Sequence, residues 1–245
     1  MVDKSSWFPF GFGGESAARR LFCLPFAGGG ASFFLPWRKN LNKVSVVPVQ
    51  YPGRETRLNE PCHQDLGRLV DELAIALAPH LDHPYSLLGY SLGAKIGFAL
   101  CHRLAELGLP LPELFIPAAH GAPDSKPSTP GAAILPDDEF IEHIRRYGGV
   151  PELVFQDPEL RQMMLPILRA DIGLVEHPVP DLPLSCPILA YSGNEDLAAQ
   201  ATSMQDWRRF AGVSFSLRIF QGGHFFARTA ADFLPTLERD LARIA

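Results

Sequence analysis

At 245 residues, 47% of them apolar and 20% charged, the chain is long enough to bury a full core and suits one α/β domain carrying a small insertion. A net charge of −5, with Lys and Arg scattered along the chain, argues against a nucleic-acid surface and gives no reason to expect an anionic membrane as partner. The four cysteines, Cys23, Cys62, Cys101 and Cys186, lie far apart with no CxxC or Cys/His cluster, which argues against zinc and against a disulfide framework.

The N-terminus carries Asp3, Lys4 and then Trp7-Phe8-Pro9-Phe10-Gly11-Phe12, too short and too broken by Pro and Gly to read as a signal peptide. No later run approaches a membrane span, so a cytoplasmic protein is expected. The first strand is Arg20 to Phe26, which runs into Ala27-Gly28-Gly29-Gly30-Ala31-Ser32. No Gly-Lys-Ser/Thr follows and no G-x-G-x-x-G frame fits the strand end, which argues against a nucleotide cradle. The better reading is a loop that supplies a backbone N–H to a developing oxyanion, from Ala27 or alternatively Phe26.

Val44 to Gln50 is the next strand, followed by the turn Tyr51-Pro52-Gly53-Arg54-Glu55, whose Arg54 is either functional or solvated. Leu66, Leu69, Val70, Leu73, Leu77 and Leu81 recur at helical spacing, so Asp65 to Leu81 is predicted as a helix. Tyr85 to Gly89 then reads as a buried strand that breaks at Gly89-Tyr90-Ser91-Leu92-Gly93 and passes at once into a helix ending near Gly108. Chance alone can produce G-x-S-x-G. Between a strand and a helix it describes a nucleophile elbow, in which a strained turn lifts the serine hydroxyl out of the sheet and both glycines avoid collisions with neighbouring backbone. Ser91 is the expected nucleophile, and Leu92 the second oxyanion donor, placed at a helix N-terminus.

A strand over Glu113 to Ala119 opens into a loop with His120 and Asp124. Strands alternating with amphipathic helices imply a mostly parallel sheet. Ala122 to Pro136 is rich in Pro, Ser and Gly; two helices follow, Asp137 to Tyr147 and Pro158 to Glu176, before His177-Pro178-Val179-Pro180 closes the excursion. No strand intervenes. This reads as a lid over residues 124–180, inserted in a core of residues 1–123 and 181–245. The sheet resumes at Pro187 to Ser192, whose end carries Glu195 and Asp196; Asp196 is the candidate to orient a histidine and Glu195 its rival. A helix through Met204, Trp207 and Phe210 and a strand over Ser214 to Phe220 lead to Gln221-Gly222-Gly223-His224-Phe225.

His224 completes the chain order Ser, acid, His of an α/β-hydrolase. His63, His80 and His83 precede the nucleophile, His102 lies in its helix, and His120, His143 and His177 come before Asp196, so each breaks that order. Ser91, Asp196 and His224 are therefore the expected triad. Cys23 and Cys186 sit in strand-like apolar runs, as buried free thiols do.

Phe26-Ala27-Gly28-Gly29, Pro52-Gly53-Arg54, Gly89-Tyr90-Ser91-Leu92-Gly93, Leu135-Pro136-Asp137-Asp138, Arg146-Tyr147-Gly148-Gly149-Val150-Pro151, Pro166-Ile167-Leu168-Arg169-Ala170-Asp171 and Gly222-Gly223-His224-Phe225 resemble the type II thioesterases. These are stand-alone enzymes serving polyketide and nonribosomal peptide synthases, to which the animal medium-chain fatty-acid thioesterase is similar. The family elbow more usually reads Gly-His-Ser-Met-Gly; Tyr90 and Leu92 depart from it. Asp196 stands where the family places its acid, eleven residues before Trp207. The resemblance implies hydrolysis of acyl thioesters on the phosphopantetheine arm of acyl or peptidyl carrier proteins, which clears stalled or wrongly primed units. It implies no metal or organic cofactor, a transient carrier partner met by Arg residues near the entrance, and a monomer. The lid residues Met163, Met164, Leu165 and Leu168 are expected to line the acyl chamber, with Phe26, Tyr90 and Phe225 as further substrate contacts. A small-molecule carboxylesterase or lipase of the same fold is the alternative.

Overall fold

The computed structural model describes residues 4–12, 19–41, 43–125 and 129–244. Asp3 and residues 126–128 of the Pro/Ser-rich hinge thus lie outside the described residues. Among the described residues, six strands, β1 (Arg20–Leu24), β2 (Ser45–Pro48), β3 (Tyr85–Tyr90), β4 (Leu114–Ala118), β5 (Ile188–Gly193) and β6 (Phe215–Phe220), form one sheet in the order β2-β1-β3-β4-β5-β6. Every neighbouring pair is parallel, with Leu24 opposite Gly89 and Tyr90 opposite Ala118 in register. A parallel sheet needs helical crossovers and buries both faces, which is why these strands are runs of apolar residues.

The helices are α1 (Trp37–Asn40), α2 (Leu66–Leu77), α3 (Leu92–Glu106), α4 (Asp137–Arg145), α5 (Glu152–Gln156), α6 (Pro158–Val175), α7 (Ala201–Gln205), α8 (Phe226–Thr229) and α9 (Phe233–Ala242). Asp65 starts α2 as predicted, its carboxylate accepting from the Arg68 N–H at 2.9 Å. Asp157 does the same for α6, with Pro158 in the first turn, where a missing N–H does no harm. Alternate residues of β1 divide between two cores. Phe22 and Leu24 join the cluster containing α2 and α3 residues, while Leu21 and Cys23 join the one containing Trp37, Phe233 and Leu237. Cys23 and Cys186 are buried free thiols, and burial pushes the Cys23 pKa up.

Between β4 and β5 the chain leaves the sheet and builds α4, α5 and α6 around a separate apolar cluster of Phe140, Ile141, Ile144, Phe155, Leu165 and Leu168. Two of these helices match the predicted ones. The third, α5, is a single short turn after Pro151 whose periodicity is too brief to read from spacing. No described helix is long and apolar enough to cross a membrane.

The strand order turns outward in opposite directions from β1 and β3, so the loops after these neighbours diverge and leave a crevice at the C-terminal edge of the sheet. The loops after β5 and β6 open on the same edge. Every candidate catalytic residue lies on one of these four loops.

Candidate active site

β3 ends at Tyr90, and Ser91 follows with φ +52° and ψ −117°, a conformation L-residues rarely adopt. Its N–H donates to the Ala118 carbonyl at 2.7 Å and its carbonyl accepts from Ala94 N–H at 2.8 Å, so the strained residue is held from both sides. The elbow glycines are required by space. A Cβ on Gly89 would sit 2.6 Å from Ala94 Cα of α3, and one on Gly93 would sit 2.7 Å from the Leu24 carbonyl carbon of β1.

Ser91 Oγ lies 3.0 Å from His224 Nε2, and His224 Nδ1 lies 2.9 Å from Asp196 Oδ2. The other carboxylate oxygen, Oδ1, accepts from the Ala198 and Ala199 N–H groups at 2.9 and 3.0 Å. Asp196 is buried. Burial opposes its charge, but the His224 contact and these two amides outweigh it and hold its pKa below the ordinary carboxylate value. An ionised Asp196 accepts a hydrogen bond from His224 Nδ1–H, which leaves the Nε2 lone pair facing the serine hydroxyl. The rival Glu195 is exposed and accepts from Gln221 Nε2 instead.

The loop after β1 is pinned amide by amide. Gly29 N–H donates to the Phe26 carbonyl at 2.9 Å, Gly28 N–H to Asp171 Oδ2 at 2.7 Å, Ala31 N–H to Gln50 Oε1 at 3.0 Å and Ser32 N–H to Glu55 Oε2 at 3.1 Å. The Ala27 and Leu92 N–H groups have no acceptor among the described residues, and neither does that of Phe26, the alternative donor. Ala27, Phe26 and Leu92 line the same cavity as Ser91 and His224. Unpaired amides beside a nucleophile are the requirement for receiving an oxyanion.

That cavity has a volume of about 220 Å³. Leu168, Phe26 and Phe225 line it as expected, and Ile144, Val150, Ile172 and Val175 supply further apolar wall. Four expected contacts need correction. Tyr90 is fully buried and does not line the cavity; its hydroxyl donates to the His224 carbonyl at 2.7 Å, so it anchors the histidine loop. Met163 is 45% exposed, because five residues before Leu168 on a helix of 3.6 residues per turn it points about 140° away. Met164 and Leu165 fall one turn earlier than the lining residues and pack within the apolar cluster of α4–α6.

The cavity also holds polar residues that spacing did not reveal. Lys95, one helical turn after Ser91 and so on the same face of α3, is buried, donates to the Val175 carbonyl, and has its pKa lowered to about 8 by burial, with Glu176 opposing. A lysine among small and apolar residues of a helix was the available signal. His120, set aside because it breaks the triad order, lines the cavity with Nδ1 2.7 Å from the Gly121 carbonyl. Burial pushes its pKa down to about 4, so it is neutral at pH 7. Arg54 is buried rather than solvated, paired with Asp171 of α6.

The fold and this geometry together define a class, the α/β-hydrolases that work through an activated serine. The chain belongs to the thioesterase domain family, whose model matches residues 19–241. It is 36% identical over 227 residues to the gramicidin S biosynthesis protein GrsT of Aneurinibacillus migulanus, covering 91% of this chain and 88% of that protein. Among solved structures it is similar to the RedJ thioesterase of the prodiginine biosynthetic pathway of Streptomyces coelicolor, with TM-score 0.82, 32% identity and 99% of each chain covered. It is likewise similar to the type II thioesterase BorB of the borrelidin biosynthetic cluster, with TM-score 0.79, 32% identity and 94% of each chain covered. It is a hydrolase of thioesters.

Proposed function

We propose that this protein is a stand-alone type II thioesterase that removes acyl groups from the phosphopantetheine arm of acyl or peptidyl carrier proteins, with Ser91, His224 and Asp196 as its triad. The observation that carries the reading is the continuous relay from Ser91 Oγ through His224 to the buried Asp196, opening on a cavity partly lined by residues of α4 and α6. The helical excursion acts as the lid, within residues 124–180 of a core formed by residues 1–123 and 181–245. The protein works as a cytoplasmic monomer that meets its carrier partner transiently, with entrance arginines facing the acidic carrier surface.

Ser91 Oγ attacks the thioester carbonyl carbon while His224 Nε2 takes the hydroxyl proton. The carbonyl oxygen becomes an anion received by the Ala27 and Leu92 amides. Collapse breaks the C–S bond, and the imidazolium returns its proton to the leaving pantetheine sulfur. A water molecule, deprotonated by His224, then attacks the acyl-serine; the acid leaves and Ser91 regains its proton. A thiol with a pKa of about 8.5 is a good leaving group, so the site does not need the power of a peptidase. The phosphopantetheine belongs to the substrate, and the chemistry draws on these side chains without a further cofactor.

The test is intact-mass spectrometry of an acylated carrier protein incubated with wild type and with Ser91→Ala. Loss of the acyl mass with wild type alone supports both substrate and nucleophile. Retention of the acyl group, with turnover of small free esters, overturns the carrier assignment in favour of a carboxylesterase.

A further inference from the structure

The loop that presents Ala27 is held by a residue of the opposite layer. Asp171 lies on α6, almost completely buried, and its Oδ2 accepts the Gly28 N–H at 2.7 Å while also meeting Arg54 Nη1. Its Oδ1 accepts from Arg54 Nη2 at 2.9 Å. Arg54, itself 5% exposed, donates Nε to the Pro52 carbonyl at 3.2 Å, and its own carbonyl accepts from Gln50 Nε2 at 3.2 Å. Gln50 Oε1 closes the circuit by accepting Ala31 N–H at 3.0 Å. Burial works against the guanidinium charge, but Asp171 outweighs it and keeps the Arg54 pKa above its ordinary value.

The geometry points to Asp171 as a positioning residue for the oxyanion hole: through Gly28 it holds the peptide plane next to the one that carries the Ala27 N–H, and so limits how Ala27 can turn. A trans peptide is a rigid plane, so its carbonyl and N–H point in opposite directions. The plane joining Phe26 to Ala27 is fixed by the Gly29 bond to the Phe26 carbonyl, and the plane joining Ala27 to Gly28 is fixed by Asp171. With both flanking planes held, Ala27 has no rotational freedom left. α6 lies directly against this point, since a Cβ on Gly28 would stand 2.6 Å from Leu168 Cδ2. α6 is therefore both a wall of the acyl chamber and a support of the oxyanion loop. Among the described residues, α4 and α5 make no comparable bond to the loop. The assignment rests on the serine-hydrolase reading of Ser91 and Ala27.

Two double variants isolate the Gly28 bond. Arg54→Met/Asp171→Asn removes both charges and keeps an acceptor for Gly28 N–H; Arg54→Met/Asp171→Leu removes the charges and the acceptor alike. Neither leaves an unpaired buried charge, and apolar replacement of a buried pair is often tolerated. Melting curves establish folding, and Arg54→Met/Asp171→Val serves in place of the Leu variant if that one fails to fold. The readouts are the rate of Ser91 labelling by a fluorophosphonate, whose tetrahedral adduct uses the oxyanion hole, and kcat and KM on a small acyl thioester. Loss of one oxyanion donor lowers kcat by roughly 10²–10³-fold, so a misaimed donor should lower it by at least about tenfold. The Asn variant is expected within about threefold of wild type and the Leu variant at least about tenfold slower in labelling and kcat, with KM equal in the two. Equal rates in the two variants, with a wild type that labels, overturn the positioning role alone. A wild type that does not label overturns the serine-nucleophile reading, and the positioning role with it.

Discussion

The Tyr90 hydroxyl donates to the backbone carbonyl of His224 at 2.7 Å, so the residue before Ser91 holds the loop that carries His224. Ser91 and His224 come from loops after β3 and β6, which are not neighbours in the sheet. This hydrogen bond ties the two loops together directly. The Tyr90 ring also lies 6.0 Å from that of Phe225, nearly parallel to it, so both loops share one aromatic packing unit.

Tyr90→Phe keeps the packing and deletes that bond together with the long one the hydroxyl accepts from the Ala227 N–H at 3.5 Å. Stability should fall by about 1 kcal/mol, the usual net worth of an intramolecular hydrogen bond, and kcat should fall several-fold with KM unchanged. Urea denaturation and steady-state kinetics check both. An unchanged kcat would mean that the rest of the packing holds His224 without the bond.

Asp196→Asn presents an amide where Oδ2 accepts from His224, favouring the tautomer with its proton on the serine side. kcat should fall by roughly 10³–10⁴-fold while the fold persists, as for the equivalent change in a serine protease. Steady-state kinetics with a circular dichroism melt separates this from unfolding.

Gly28 has φ +74°, and a side chain there would press on Leu168. Gly28→Ala should therefore cost about 1–2 kcal/mol in stability from backbone strain. It should also lower kcat more than it raises KM, because the adjoining amide belongs to the oxyanion loop. Thermal melts and kinetics on one thioester test it.

His120 has a folded pKa of about 4 against about 6.5 when unfolded. Between those values the unfolded chain takes up a proton that the native cavity refuses, so stability must drop as the pH falls from 6.5 to 4. Asp196 acts in a lower window: its lowered pKa keeps its stabilising contribution intact above about 4 and loses it only below. Urea midpoints at pH 7 and pH 5 for wild type and His120→Gln measure the first effect. The variant should lose about 2 kcal/mol less than wild type over this interval.

The helices over the site should open unequally. α5 buries only Phe155 and leaves Leu153 exposed, whereas α6 is tied to the oxyanion loop through Asp171. Hydrogen exchange should be fastest in α5, intermediate in α4, and slowest in the stretch of α6 around Asp171, since local opening follows the number of buried contacts. Uniform exchange across the three helices would contradict a fixed α6.

The sequence by itself determined the strands, the elbow and the placing of the three candidate triad residues. Each strand announces itself by a local apolar run. The order Ser91, Asp196, His224 is a one-dimensional property of the chain, as is the placing of each residue just past a strand end. These features survive without coordinates because they depend on neighbours along the chain. Tertiary structure alone decided what faces what. Asp171 and Arg54 are 117 residues apart and meet only because α6 folds back over the β1 loop. Tyr90 looked like a substrate contact and proved to be an anchor, because strand alternation points it into the core beside Cys23 and Leu88. Met163 and Leu168 both read as chamber residues, and the rotation of α6 turned one outward and the other in. Burial, pairing and helix phase are set by packing between distant segments, and no local pattern encodes them.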